Sequence, residues 1–309
     1  MGEVIVGEHE RRQINAQVQR VLRDLGNPEP PLKLEDVRKL LSLDLQYYRS
    51  TDPGLIAELT HRFNLLAKKS IPNLGRHLLS ALAKSKLCAF WVPDSARILI
   101  DEAEPEPKHR WMEAHEVAHS LTPWHRGFLL GDSKQSLDPA CHATLEAEAN
   151  YGAGRLLFLQ DRFRQDARDL PFDFTSVKAL SQRYANSIVS TCWRLIEERN
   201  PEQATFGLIS VHPHYDHIGS HDGIDPWRYF IRSAQFRLQF PHIEPADIFA
   251  LVGRHATRRR TGPILLAEDV LIDVTGKAFE FSLESFATQH AFMTMGCLTR
   301  VRAPVVALA

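Results

Sequence analysis

The feature that most constrains the fold of this chain is the motif His115-Glu116-Val117-Ala118-His119, which has the form HExxH. In a helix, His115 and His119 lie one turn apart on the same face, where their imidazoles can bind one metal ion. Glu116 then lies beside that ion, where its carboxylate can accept a proton from a water molecule. The motif therefore predicts a helix, which Thr122-Pro123 would end, and requires a third ligand from elsewhere in the fold.

A second helix, predicted over residues 144–160, offers that third ligand. A catalytic zinc site takes three protein ligands and leaves one position open. Glu146 lies 27 residues after His119 (146 − 119) and has Asn150 one turn further on, where an amide can hydrogen-bond a ligand histidine. Glu148 competes for the same role, but on a helix it points to a different side from Glu146. We favour Glu146 because it shares a face with Asn150.

Composition indicates a soluble globular protein that works in a reducing compartment. The 309 residues are 44% hydrophobic and 24% charged, and a net charge of −1 gives no electrostatic reason for binding nucleic acid or an acidic membrane. The four cysteines are far apart, so neither a disulfide framework nor a thiolate zinc site is indicated. The sequence shows no secretory signal and no apolar run long enough to span a bilayer. We therefore expect a cytoplasmic protein without membrane contact or direct nucleic-acid binding.

The pattern of apolar residues changes along the chain and indicates an α+β protein with three parts. The first part, 1–165, combines helices with a short strand pair, CAFWVP (88–93) and ARILID (96–101). The third part, 203–309, has short apolar runs separated by glycine-containing turns, which favours an α/β domain that could act as a sensor.

The middle part, 166–202, has the spacing of a helix-turn-helix unit. Asp173 or Thr175 can cap its first helix, Ala185-Asn186 forms the turn and Ser187 can cap its second helix.

Four segments in a fixed order carry a resemblance to a known family. They are the strand pair CAFWVPDSARILID, the helix RWMEAHEVAH, the helix LEAEANYGAGRLLF and the segment LSQRYANSIVSTCWRL. Over roughly residues 32–200 the chain resembles the ImmA/IrrE metallo-endopeptidases, whose second-helix pattern is Glu-x-(Glu/Gln)-Ala-Asn, then Phe-Ala and a Leu-Leu pair. The residues that match this pattern are Glu146, Glu148, Ala149, Asn150, Ala153, Leu156 and Leu157. The chain departs from it at Gly152, where an aromatic residue is usual, and at Phe158-Leu159, where Met-Pro is common.

The resemblance implies a small gluzincin-like zinc peptidase domain with one Zn²⁺ per chain. It implies His115, His119 and Glu146 as the zinc ligands and Glu116 as the catalytic carboxylate, in agreement with the chemistry of the motif. The implied substrate is an XRE-type helix-turn-helix repressor, whose cleavage would derepress stress-response or mobile-element genes. A hydrogen-bond donor to the transition state is also expected near the metal, and the candidates are His125, His142, Tyr151 and Arg155.

Two other patterns support functions of a different kind. His212, His214, Asp216 and His217 match the HxHxDH signature of metallo-β-lactamase-like hydrolases, although we favour a histidine-rich loop because the surrounding sequence does not fit that fold. The helix-turn-helix unit could instead belong to a DNA- or protein-binding regulator, but its second helix has a weak phosphate-binding profile. The basic stretch ATRRRTG (256–262) is predicted to be a solvated loop.

Overall fold

A computed structural model describes residues 6–49, 89–92, 96–125, 139–215 and 225–302. The chain forms two compact units, Met1–Gln160 and Asp161–Ala309. Both units combine helices with a small sheet, which confirms the predicted α+β class. Among the helices in these ranges, none has the length and apolar character needed to cross a lipid bilayer.

The first unit builds a three-stranded sheet and packs helices beside it. Its elements are α1 (Glu8–Asp24), α2 (Leu34–Leu41), β1 (Asp44–Tyr48), β2 (Ala89–Val92), β3 (Arg97–Asp101), α3 (Glu106–Leu121) and α4 (Pro139–Leu157). The sheet has the order β1-β3-β2, with β1 parallel and β2 antiparallel to the central strand. The HExxH motif lies in the last turns of α3, which ends at Leu121 as the Thr122-Pro123 pair predicts.

Helices α3 and α4 approach each other closely because one glycine lies where they meet. A Cβ atom on Gly152 would lie 3.0 Å from the Cβ of Ala118 and 3.3 Å from a methyl group of Ile14, which is tighter than almost all real contacts. Ala118 is itself buried between the two motif histidines. A larger residue at position 152 would therefore push α4 away from the histidines.

The second unit builds a five-stranded antiparallel sheet with helices packed against it. Its elements are α5 (Asp161–Arg168), α6 (Phe174–Tyr184), α7 (Ile188–Glu198), β4 (Thr205–Ser210), β5 (Trp227–Arg232), α8 (Ala234–Gln239), α9 (Pro245–His255), β6 (Gly262–Ile272), β7 (Ala278–Ala287) and β8 (Phe292–Val301). The strand order is β5-β4-β8-β7-β6. Strand β7 alternates strictly between buried and half-buried residues, so one of its faces covers the core. That core is rich in phenylalanine, including Phe206, Phe236, Phe240 and Phe281.

The helix-turn-helix pair has the predicted local structure but belongs to the second unit. Asp173 caps α6 by accepting a hydrogen bond from the backbone of Ser176, and Ser187 caps α7 in the same way. Between them, Ala185 adopts a left-handed conformation that ends α6. Helix α7 packs against β4, β5 and β8, so the pair is held against the sheet of the second unit. Both helices thus lie within the unit Asp161–Ala309.

Candidate metal centre

The motif histidines of α3 direct one nitrogen each toward a common point. His115 Nε2 and His119 Nε2 lie 3.1 Å apart, as expected for side chains one helical turn apart on one face. Both residues are largely shielded from solvent, and His119 is fully buried. Two imidazoles held this close in a buried place favour a shared cation between them over two independent surface roles.

Helix α4 adds a carboxylate to these two nitrogens. Glu146 places one oxygen 3.2 Å from His115 Nε2 and the other 3.6 Å from His119 Nε2. Zn–N and Zn–O bonds of 2.0–2.1 Å in a tetrahedron would separate the ligand atoms by about 3.3 Å. The observed separations of 3.1, 3.2 and 3.6 Å, of which the last two involve different oxygens of Glu146, are close to this value. One ligand atom from each of the three residues also lies within 4.8 Å of the other two, so the three side chains can share one metal ion. Glu146 remains 41% exposed, so the cluster is open to solvent on one side.

The other ring nitrogen of each motif histidine, Nδ1, also has a hydrogen-bond partner. His115 Nδ1 lies 3.1 Å from the amide oxygen of Asn150, the residue expected from sequence to hydrogen-bond a ligand histidine. His119 Nδ1 lies 2.9 Å from Nδ1 of His125, which is completely buried. These contacts fix the ring orientations, because each imidazole can rotate only by breaking a hydrogen bond.

A buried carboxylate, that of Glu148, is in turn hydrogen-bonded to His125. Glu148 Oε2 lies 2.8 Å from His125 Nε2 and accepts a second hydrogen bond, of 2.7 Å, from the indole of Trp124. Burial alone would raise the pKa of Glu148, but the hydrogen bonds from His125 and Trp124 outweigh it and lower the pKa. Glu148 is thus bound on the side of α4 away from the open cluster, and Glu146 is the carboxylate that meets the histidines.

Glu116 lies buried next to this cluster. Burial raises its pKa to about 7, and repulsion from Glu146 adds to the effect, whereas His115 and a hydrogen bond from the Trp91 backbone act in the opposite direction. A carboxylate with a pKa near neutrality can both accept and return a proton at physiological pH. Its contact with Trp91 also connects it to β2, an edge strand among the strands described for this sheet.

The three clustered side chains differ in their preference for protons. Burial lowers the pKa of His119 to about 4, whereas for His115 the contacts with Glu146, Glu116 and Asn150 outweigh burial and raise the pKa. Burial would raise the pKa of Glu146, but hydrogen bonds from the two histidines lower it far below its usual range. At neutral pH the cluster thus holds a carboxylate and at least one neutral imidazole, which are the forms that bind metals.

The four candidates for a transition-state donor occupy different places. His125 lies behind His119, with both ring nitrogens in contact with His119 and Glu148, so it does not face the open side of the cluster. The side chain of His142 falls outside the described residues. Tyr151 and Arg155 both hydrogen-bond the side chain of Asn15 on α1.

The contacts of Trp124, His125 and Glu148 are the part of the site that sequence reasoning missed. The available signal was the nearby Trp124-His125 pair combined with a second acidic residue, Glu148, on the ligand helix. From sequence, Glu148 is recognisable only as a rival ligand, because its separation from His125 along the chain gives no measure of their distance in space.

The part of the HxHxDH segment that the structure describes, His212 to Tyr215, has a structural role. His212 Nε2 lies 3.0 Å from the carbonyl oxygen of Arg259, and its Nδ1 accepts a hydrogen bond from the backbone of His214. Both nitrogens of His212 are therefore engaged with backbone groups, which leaves no lone pair for a metal. Asp216 and His217 lie outside the described residues.

Helix α7, the second helix of the helix-turn-helix pair, is covered by the sheet. Each of its residues from Ile188 to Glu198 is buried or half-buried. Its basic residue Arg194 is buried and pairs with Glu198 at 2.7 Å. A recognition helix needs an exposed face to enter a DNA groove, and α7 does not offer one.

No protein-family model matches the sequence, and no curated protein matches it. Among solved structures, the chain is similar to a Mycobacterium tuberculosis transcriptional regulator, with a TM-score of 0.50 and 11% identical residues. The similarity covers 92% of this chain and 86% of that chain. At this identity it concerns the fold alone, and it agrees with the α+β class.

Proposed function

We propose that this protein is a zinc-dependent endopeptidase. The observation that carries the proposal is the convergence of His115, His119 and Glu146 at separations suited to one tetrahedral ion, with Glu116 buried beside them. Two imidazoles and one carboxylate are a ligand set that zinc hydrolases use, with the fourth position open to water. The exposed side of Glu146 supports access of a substrate to that position.

The chain's own residues supply the proton transfers of such a reaction. Zn²⁺ held by the three ligands would lower the pKa of a water molecule and polarise the carbonyl of the peptide bond. Glu116 accepts a proton from the water as its oxygen bonds to the carbonyl carbon, and returns this proton to the amide nitrogen as the C–N bond breaks. The Trp91 backbone and burial hold the Glu116 carboxylate in place between these two steps.

The proposed substrate is a helix-turn-helix repressor of the XRE type. This part of the proposal rests on the resemblance to the ImmA/IrrE family, which covers the metal helices and the helix-turn-helix pair. Cleavage of the repressor would derepress stress-response or mobile-element genes.

A second candidate function is that of a transcriptional regulator without peptidase activity. The name of the similar Mycobacterium tuberculosis protein and the helix-turn-helix pair favour it. The covered α7 weighs against DNA binding through that helix, so this candidate requires another surface.

The substitution Glu116→Gln separates the two functions. It keeps the size and polarity of the side chain but removes the proton acceptor, so zinc content should stay at one per chain while cleavage falls by about 10² or more. The assay incubates the purified zinc-loaded protein with a lysate of its source cell and identifies new protein N-termini by mass spectrometry. Wild type should generate a defined new N-terminus in a repressor, and Glu116→Gln should not.

The ligand assignment has its own control in the same experiment. Glu146→Gln removes one ligand and should lose both metal and cleavage, whereas Glu106→Gln changes an exposed glutamate of α3 and should keep both. If Glu116→Gln produced the same new N-termini as wild type, peptidase activity would not belong to this site.

A further inference from the structure

A basic turn, defined by residues 256–261, follows the C-terminal end of α9. Five successive residues from Thr257 to Thr261 are exposed, and three of them are Arg258, Arg259 and Arg260. Within the described part of the chain, none of these guanidinium groups forms an ion pair. The nearby acidic residue Asp269 is already paired with Arg254 and His255, which precede the turn. The basic turn therefore presents three adjacent charges that the described residues do not neutralise.

The backbone of the basic turn is anchored by a single neighbouring segment. His212 donates from Nε2 to the carbonyl of Arg259, and His214 from Nε2 to the carbonyl of Ala256, each at 3.0 Å. The Tyr215 hydroxyl donates to the carbonyl of Arg258, also at 3.0 Å. Three backbone carbonyl groups of the turn thus accept hydrogen bonds, and these bonds fix the backbone that carries the arginine side chains.

Two further contacts preserve this arrangement. The Arg260 guanidinium lies 4.8 Å from the centre of the Tyr215 ring, at a distance suited to a cation–π contact. The hydroxyl of Thr257 donates to the carbonyl of Ile264 and connects the turn to β6. The histidine-rich segment that resembles a hydrolase signature therefore serves to fix the basic turn.

We infer that the basic turn binds the phosphate groups of a nucleic-acid backbone. Guanidinium groups match phosphate oxygens with two parallel hydrogen bonds, and a duplex offers closely spaced phosphates to adjacent arginines. The turn exposes threonines beside its arginines and no apolar side chain that could enter a bilayer, which argues against a lipid surface. The net charge of −1 suggested no direct nucleic-acid binding, but a whole-chain charge does not describe one anchored turn.

The salt dependence of binding follows from the number of arginines. Each phosphate contact contributes a slope of about −0.9 to the logarithm of affinity against the logarithm of salt concentration. Three contacts give a slope of about −2.7, which corresponds to a loss of about 40-fold between 50 mM and 200 mM salt. The binding should show little dependence on base sequence, because phosphate contacts carry no direct sequence information.

The test uses fluorescence anisotropy of the full chain with a labelled 20-base-pair DNA duplex. The triple variant Arg258→Ala/Arg259→Ala/Arg260→Ala should lose affinity by at least about tenfold at 50 mM salt, with a salt slope close to zero. The control Arg12→Ala/Arg20→Ala/Arg23→Ala removes the same charge from exposed positions on α1 and should stay within about twofold of wild type.

A second variant tests the anchored backbone without changing charge. Tyr215→Phe keeps the ring under Arg260 but removes the hydrogen bond to the Arg258 carbonyl, so affinity should fall by about two- to fivefold at an unchanged salt slope. Unchanged affinity in this variant would overturn the role of the anchor. The inference itself fails if wild type does not bind the duplex at 50 mM salt, or if both triple variants lose affinity equally. It also fails if the chain binds phosphatidylserine vesicles in preference to DNA.

Discussion

The Nδ1 atoms of His119 and His125 lie 2.9 Å apart in a buried part of the first unit. If His119 binds a metal through Nε2, its Nδ1 carries the proton and donates it to His125. His125 then carries its own proton on Nε2 and donates to Glu148, 2.8 Å away. One metal ion would thus determine the tautomers of two histidines, and the buried carboxylate of Glu148 would accept the last hydrogen bond in this series.

We predict that removing this support weakens metal binding without abolishing it. His125→Ala and Glu148→Gln should each lower zinc affinity by about 10- to 100-fold, the usual effect of losing a partner that orients a metal ligand. Competition with a chromogenic chelator measures the change. Glu106→Gln, an exposed carboxylate of the same helix as the histidines, is the matched control and should leave affinity unaltered. Equal affinities in all four proteins would show that the contact has no role in the site.

Metal affinity should depend on pH through one histidine over most of the acidic range. The pKa of His115 is raised above its usual value and that of His119 is lowered to about 4, so only His115 holds a competing proton between these values. The logarithm of zinc affinity should therefore fall by about one per pH unit as the pH drops below the ordinary histidine pKa of about 6.5, and more steeply below about pH 4. Titrations of the Glu116→Gln variant exclude any contribution from a proton on Glu116. A zinc affinity that did not change with pH in this variant would contradict zinc binding by His115 and His119.

The glycine at the crossing of α3 and α4 should be sensitive to a single methyl group. In an exposed helix, Gly→Ala stabilises by about 1 kcal/mol. Gly253→Ala in α9 should approach that gain because, among the described residues, its Cβ would meet only Pro213, at 3.9 Å. Gly152→Ala should lose the gain and become net destabilising, since its Cβ would lie 3.0 Å from Ala118. Chemical denaturation gives both values, and chelator competition should show weaker zinc binding for Gly152→Ala alone.

Arg194 distinguishes a structural role of α7 from a DNA-binding one. It is buried and pairs with Glu198 at 2.7 Å, so Arg194→Ala removes the positive charge beside a buried carboxylate and should cost about 3 kcal/mol of unfolding free energy. Arg183→Ala removes a half-exposed partner of Asp166 on α6 and should cost less than about 1 kcal/mol. Urea denaturation compares the two, and a stable Arg194→Ala protein with impaired DNA binding would support a recognition helix.

Local features of the sequence predicted local structure well. The caps at Asp173 and Ser187, the end of the motif helix and the strand pair before it all depend on residues close in sequence, where propensity and capping act directly. The packing of the helix-turn-helix pair was less predictable. The packing of α7 on β4 depends on contacts between residues that are distant in sequence, and no short sequence pattern contains that information.

The same distinction applies to the candidate site. His115, Glu116 and His119 follow from one helical motif, and the choice of Glu146 followed from the helical positions of two acidic residues. The contact between His125 and Glu148 joins the end of one helix to the middle of another. No short stretch of sequence contains this contact, and the same holds for the anchoring of the basic turn by His212 and His214.

The proposed zinc ligands come from two different helices, α3 and α4. An ion shared by both helices acts as a crosslink that exists only in the folded state, and saturation at a thousand times the dissociation constant adds about 4 kcal/mol of stability. A change of that size shifts the fraction of unfolded chains by about a thousandfold, and unfolded chains are what cellular proteases degrade. Cellular zinc supply would therefore control the lifetime of this protein as well as its chemistry, so zinc starvation alone would reduce the amount of it that a cell retains.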